Sequence, residues 1–312
     1  MIIVEILLLA IGFALLIKGA DWFVDGCSHL ASSLGVSQVV IGLTIVAMGT
    51  SMPEAAVSIT AAMKNTADIA VGNIVGSNII NILIILGLTS LLIPIPVDET
   101  FRKKDIPFMG AATILLVVMG MTGNIITRAE GMILFALFMV YLLYLFRSTI
   151  SDKSRLETKA VSGKQILRDL IMIIVGVGLV VAGSNITVDA ATEIARMAGM
   201  TEKLIGLTIV ALGTSLPELV TSLTAARKGN ADMAIGNIVG SNIFNILFIL
   251  SASSIIVPIP YVQSFLMDGL IALTAMLILW VYALVFKRLD RVSGVIMLAL
   301  YAGYFAYLVL SS

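Results

Sequence analysis

One stretch of this chain is written twice. Residues 42–62 read GLTIVAMGTSMPEAAVSITAA and residues 206–226 read GLTIVALGTSLPELVTSLTAA, aligned without a gap at an offset of 164. Both runs are apolar enough to sit in a bilayer, and each carries one carboxylate, Glu54 or Glu218. A carboxylate at membrane depth is costly and marks a functional site by default. Any fold open to this chain must therefore find a place for two copies of one acid-bearing membrane segment.

The rest of the sequence agrees with a membrane setting. Hydrophobic residues make up 59% of the 312 and charged residues 12%, against roughly 25% charged in a soluble domain. Ten apolar runs follow one another, at about 2–24, 37–62, 69–92, 106–121, 125–147, 165–190, 203–226, 233–257, 265–286 and 293–310. They are continuous and not of the short alternating kind a transmembrane barrel needs, so they predict helices. The expected fold is an all-α membrane protein. Zero net charge gives no reason to expect a nucleic-acid partner. A single cysteine, Cys27, and a single histidine, His29, exclude an intrachain disulfide and any multi-cysteine or histidine-rich metal site. No cofactor is expected. Residues 1–23 lack a basic leader and a cleavage site and read as a retained first helix.

The duplication extends through the chain. Residues 67–86, ADIAVGNIVGSNIINILIIL, return as ADMAIGNIVGSNIFNILFIL at 231–250, and Pro94 and Pro96 return as Pro258 and Pro260. This predicts two halves of five helices, 1–147 and 165–312, joined by a polar linker at 148–164 that is too short to be a domain. An odd number of spans per half forces the second half into the membrane upside down. That is the inverted-repeat plan of secondary transporters. If both termini lie outside, fourteen of the nineteen lysines and arginines fall in inside loops and four in outside loops. The positive-inside rule then favours a multi-pass cell-membrane protein with both ends out.

Pro53 and Pro217 each remove a backbone donor and clash with the carbonyl of Gly49 or Gly213 four residues back. A break in the second and seventh helices is expected there, with carbonyls near Ala47–Thr50 and Ala211–Thr214 turned to the midplane. Around the breaks, Thr50, Ser51 and Glu54 are matched by Thr214, Ser215 and Glu218. The neighbouring helices add Asn73, Ser77 and Asn81, matched by Asn237, Ser241 and Asn245. Every group offers oxygen and none offers sulfur or imidazole, a set suited to hard cations. Two ionised glutamates balance one Ca²⁺, while the hydroxyls and amides leave neutral pockets suited to Na⁺. Two carboxylates about 5 Å apart repel by roughly 3 kcal/mol at an effective dielectric of 20. An empty, closed site is therefore disfavoured, and an obligatory exchange of cations is expected.

GTSMPE at 49–54 and GTSLPE at 213–218, each followed by GNIVGSN, resemble the paired α-repeats of the calcium:cation antiporter superfamily, and within it the prokaryotic sodium/calcium exchangers. The resemblance covers the whole chain. It implies that Glu54, Glu218, Thr50 and Thr214 bind calcium. It also implies that Ser51, Ser77, Asn81, Ser215, Ser241, Asn245 and the carbonyls of Ala47 and Ala211 line sodium sites, and that helices one and six slide past a fixed core. Asparagine at 245, where potassium-dependent relatives carry aspartate, argues against potassium coupling. GTS in place of the GN of proton-coupled relatives argues against proton coupling. The linker has no room for the calcium-sensing domains of animal exchangers.

Sodium influx driving calcium export is thus the expected function. Proton- or potassium-coupled calcium exchange and a cation channel stand as alternatives. No enzyme motif is present. Since one chain builds its own two-fold site, a working monomer is expected. Plain packing roles remain open for Asn73, Asn237, Asn78 and Asn242. Cys27 and His29 read as incidental, Asp21, Asp25 and Asp189 as interfacial, and Asp68 and Asp232 as charges on helix N-termini.

Overall fold

The protein is seen in a computed structural model that describes residues 2–64, 66–153, 162–200, 205, 208, 209 and 211–311. Its helices are α1 (Ile2–Leu34), α2 (Gln38–Thr50), α3 (Met52–Met63), α4 (Ile69–Leu92), α5 (Phe101–Met121), α6 (Arg128–Lys153), α7 (Gly163–Met197), α8 (Leu216–Arg227), α9 (Ala231–Ile256), α10 (Phe265–Phe286) and α11 (Arg291–Leu310). Among the described residues, eight helices are long and apolar enough to cross a bilayer, or nine if α2 and α3 count as one bent span. The run expected at 203–226 falls partly outside the described residues. Within it, a helical turn at Ala211–Gly213 and α8 are seen.

α1 and α7 are longer than the sequence pattern indicates. At 1.5 Å per residue each spans about 50 Å, beyond the roughly 30 Å of hydrocarbon. Their polar C-terminal turns stay helical, and each stops at a left-handed glycine. Gly35 has φ +64° and Gly199 φ +83°. Val36 donates to the Ala31 carbonyl and Met200 to that of Ala195, so both helices end in the same Schellman turn. The two helices run against each other backbone to backbone. A Cβ on Gly19 would lie 2.8 Å from the Gly176 carbonyl oxygen, and one on Gly183 2.7 Å from the Leu16 nitrogen. Glycine permits that approach.

The repeat-related helices α4 and α9 are the most buried spans and α1 and α11 the least. α9 packs tightly on α2: Gly236 and Gly240 approach Gly42 and Leu43 to about 3 Å or less, counted from an added Cβ. α4 and α9 each contain a π-helical stretch at matching positions, Asn81–Leu86 and Asn245–Leu250. Others occur at Gly42–Val46 and Phe101–Asp105. The last adds a turn before Ile106, so α5 begins earlier than expected. α6 continues to Lys153, which shortens the expected linker; residues 154–161 lie outside the described residues.

Four two-residue strands, not foreseen in an all-α reading, tie the halves together. β1 (Ile95–Pro96) pairs antiparallel with β4 (Arg288–Leu289), and β2 (Ile125–Ile126) with β3 (Ile259–Pro260). β1 matches β3 at an offset of 164 and β2 matches β4 at 163. Each bridge therefore joins one half to the other, and the pattern is its own mirror under exchange of halves.

Candidate functional site

The break predicted at Pro53 is present. α2 and α3 meet at 51°, across Ser51 with φ −83°, ψ 11°. Ser215, before α8, has nearly the same backbone, φ −90°, ψ 4°. Each glutamate thus sits in the first turn of a helix, where the unpaired N–H groups and helix dipole favour a negative charge. The freed carbonyls behave less symmetrically than expected. Thr50 folds its hydroxyl back toward the carbonyls of Val46 (3.1 Å) and Ala47 (3.3 Å). The Ala47 oxygen also faces the Ser241 hydroxyl at 3.4 Å. The Gly213 carbonyl is not left for an ion: Ser184 on α7 donates to it at 2.8 Å. The first-half counterpart of Ser184 is Ala20, which has no hydroxyl to give.

Glu54 and Glu218 are fully buried and close enough for the charge of one to act on the other. Their contacts cross between halves. Ser51 donates to Glu218 Oε1 at 2.9 Å, and Thr214 is a hydrogen-bonding neighbour of Glu54. Ser77 reaches Glu54 Oε1 at 3.5 Å, and Ser215 reaches the Ser77 hydroxyl at 3.4 Å. Asn245 donates to Ser77 Oγ at 3.3 Å and to Asn78 Oδ1 at 2.9 Å. Asn81 donates to Asn242 Oδ1 at 2.9 Å. Thr50, Ser51, Ser77, Asn81, Ser215, Ser241 and Asn245 are all buried, as is Ala47, and Thr214 is half-buried. Ala211 opens the turn Ala211–Gly213, and its side chain lies outside the described residues.

Four buried acceptors in this cluster have no hydrogen-bond donor among the described residues: Glu54 Oε2, Glu218 Oε2, Asn81 Oδ1 and Asn245 Oδ1. They are two repeat-related pairs. A buried acceptor without a donor costs about 1–3 kcal/mol, more if charged, and a cation removes that cost. The donor set is oxygen throughout. No group of three acids, histidines or cysteines able to hold a metal occurs among the described residues. The cluster therefore suits a hard ion that is bound and released, and it does not suit a resident transition metal.

A second layer explains residues whose roles were open. Asn73 donates to Ser58 Oγ at 3.0 Å and the Glu54 carbonyl at 3.3 Å; Asn237 does the same to Ser222 at 2.9 Å and the Glu218 carbonyl at 3.4 Å. Asn237 Oδ1 also accepts from Thr50 at 2.9 Å. These amides fix the acid-bearing helices. Asn78 and Asn242 exchange bonds with each other's backbone, at 3.4 and 3.3 Å, and hold the amides of Asn245 and Asn81. They occupy the crossing of α4 and α9 and bind the two helices to each other. His29, read as incidental, lies 3.5 Å from the buried Asp169. Asp21 and Asp25 pair with Lys228.

Residues 4–147 and 169–310 match the sodium/calcium exchanger protein family, and the chain belongs to it. A protein named antiporter CaxA, from Alkalimonas amylolytica, is 40% identical over 320 residues, covering 99% of this chain and all of that one. The sodium/calcium exchanger MaX1 of Methanosarcina acetivorans is 31% identical over 349 residues, with 99% of each chain covered. A solved structure of the sodium-calcium exchanger NCX_Mj superposes with a TM-score of 0.87 at 33% identity, over 99% of this chain and 100% of that one.

Proposed function

We propose that this protein is a sodium/calcium antiporter that binds its cations at the Glu54–Glu218 cluster and exposes them alternately to the two sides. The observation that carries the reading is the set of four oxygens without a donor among the described residues, two carboxylate and two amide, buried at repeat-related positions. Two negative charges match one Ca²⁺, with Thr50 and Thr214 as further oxygen ligands. Ser51, Ser77, Asn81 and the Ala47 carbonyl, with Ser215, Ser241, Asn245 and the Ala211 carbonyl, form the neutral pockets for Na⁺. The neutral pockets surround the same centre as the carboxylates, so filling by one ion displaces the other.

The architecture that goes with this reading is ten spans in two inverted halves, 1–147 and 165–312, around the linker 148–164, with both termini outside. The cross-paired bridges β1–β4 and β2–β3 support it, because each then joins two loops on the same side of the membrane. The glycine seam between α1 and α7 supports their movement as a pair against the remaining helices. If three sodium ions enter for each calcium expelled, one net charge moves inward and gains about 2.3 kcal/mol per 100 mV, which drives calcium export. One chain suffices. The test is ⁴⁵Ca²⁺ flux in proteoliposomes with sodium, potassium and proton gradients imposed one at a time. Only the sodium gradient should drive it, and an imposed potential should change its rate. Drive by a pH step without sodium would replace sodium with protons, and unitary currents would make the protein a channel.

A further inference from the structure

A second polar space lies away from the exchange cluster. A cavity of about 800 Å³ opens between the start of α2, the first turn of α5, the second half of α6 and the start of α9. In the orientation proposed above it faces the inner side. Asp98, Asp105 and Asp232 line it, with Lys104 and Arg147, so carboxylates exceed cations by one. Asp105 decides what the space is for. The π-helical turn Phe101–Asp105 swings this residue inward, where it is 1% exposed. Neither of its oxygens has a donor among the described residues. Lys104, its neighbour, turns its ammonium over the Tyr144 ring, 5.9 Å from the centre. The buried Tyr141 hydroxyl, also without a partner among the described residues, borders an adjoining pocket with Asp105.

The charges of Lys104 and, more weakly, Asp98 act on Asp105, and that of Asp98 also acts on Asp232, so these groups share one field. No three acids among the described residues converge on one point as metal ligands. A bare ion chelated by protein therefore does not fit. An ion that keeps its water does. Six waters at about 30 Å³ each fill only part of the cavity, and their protons would supply the donors that Asp105 lacks. Leu43 forms part of the wall, one helical turn before Ala47, whose carbonyl faces the exchange cluster.

We propose that the Asp98–Asp105–Asp232 cavity captures hydrated divalent cations at the inner mouth and passes them toward Glu54 and Glu218. The capture step stands on the cavity alone; the onward step rests on the exchange reading. A negatively charged cleft raises local cation concentration and on-rate without changing the chemistry beyond it. Two measurements test the pair of claims. In the first, Tb³⁺ is added to purified Glu54→Gln/Glu218→Gln protein and tyrosine-sensitised luminescence is titrated. A signal that survives these substitutions and weakens about tenfold or more in affinity on adding Asp105→Asn, with a smaller loss for Asp232→Asn, supports capture. A titration unchanged by Asp105→Asn overturns it. So does co-purified phospholipid that is lost with Lys104→Ala/Arg147→Ala, which would assign the cavity to a lipid headgroup.

In the second, ⁴⁵Ca²⁺ uptake is measured in everted vesicles, where the inner face meets the medium. Asp105→Asn should raise the half-saturating calcium about threefold to tenfold and keep the maximal rate. The difference should vanish in about 1 M neutral salt, where the screening length is about 3 Å. A lower maximal rate with unchanged half-saturation overturns the onward step. Wild-type vesicles that show no sodium-driven uptake, while Tb³⁺ binding still depends on Asp105, would reject the exchange reading and leave the capture site standing.

Discussion

Ser51 in the first half donates its hydroxyl to Glu218 in the second, across 2.9 Å and 167 residues of chain. Each kink thus contacts the other half's acid. A hydrogen bond to a charged group contributes about 1.5–3 kcal/mol. Ser51→Ala should therefore weaken calcium binding by about one to two orders of magnitude. Glu54→Gln and Glu218→Gln should each abolish exchange, because one carboxylate cannot balance a divalent ion. In a double-mutant cycle read by calcium binding, Ser51→Ala should add little once Glu218 is Gln. Additive losses would show that the two side chains act separately.

The seam between α1 and α7 gives a stability prediction with its own control. A Cβ on Gly176 would stand 2.6 Å from the Phe23 backbone nitrogen, and one on Gly178 would meet nothing within 4 Å. Backbone cannot step aside as a side chain can, and overpacking of this kind costs about 1–3 kcal/mol. Gly176→Ala should lower the melting temperature and the exchange rate, while Gly178→Ala should leave both near wild type. Thermal unfolding in detergent together with vesicle flux separates the two substitutions.

The duplicated acid segment, the oxygen-bearing side chains around it and the kink at Pro53 could all be read in the sequence, because they depend on residue type and spacing within one segment. What could not be read lies between segments. The Gly213 carbonyl is freed by Pro217 as expected, yet Ser184 takes it, and nothing in the local pattern of α7 announces that bond. The Asn78–Asn242 exchange joins residues 164 apart across the fold. α1 overran its apolar stretch because Asp21, Asp25 and Ser28 break the hydrophobic pattern without breaking the helix. These groups meet Lys228 and Asn230 in tertiary contact. Asp105 was hidden inside the polar run FRKKD, where only the π-helical turn separates a buried acid from its exposed neighbours.

Asp290 offers a pH test outside the membrane spans. It precedes α11 and accepts from the Tyr282 hydroxyl at 2.7 Å, from the Val292 and Ser293 N–H groups at 3.1 and 3.3 Å, and from Arg288. The Tyr282 bond first, then the backbone donors and Arg288, hold its carboxyl below the usual carboxylate range. A group whose folded pKa is depressed stabilises the fold above its unfolded pKa and loses that contribution as pH falls through the folded value. Asp290→Ala should thus lower the melting temperature at neutral pH, and the gap to wild type should close only in acid, below the ordinary aspartate range. A gap independent of pH would assign the effect to packing.

Asn245→Asp should reverse the sign of the protein's response to pH. In the wild type, protons compete with cations for Glu54 and Glu218, so half-saturating calcium should fall as pH rises. The Asn245 amide, however, works as a donor, to Asn78 Oδ1 at 2.9 Å and Ser77 Oγ at 3.3 Å. An ionised aspartate there would set acceptor against acceptor and put a third negative charge beside the two glutamates. Only its protonated form keeps a donor for Asn78. The variant should therefore be impaired at high pH and recover as pH falls, until proton competition at the glutamates takes over. Flux against pH should pass through a maximum, where that of the wild type keeps rising with pH. The same acidic recovery should be absent from Asn245→Ala, which has no proton to regain.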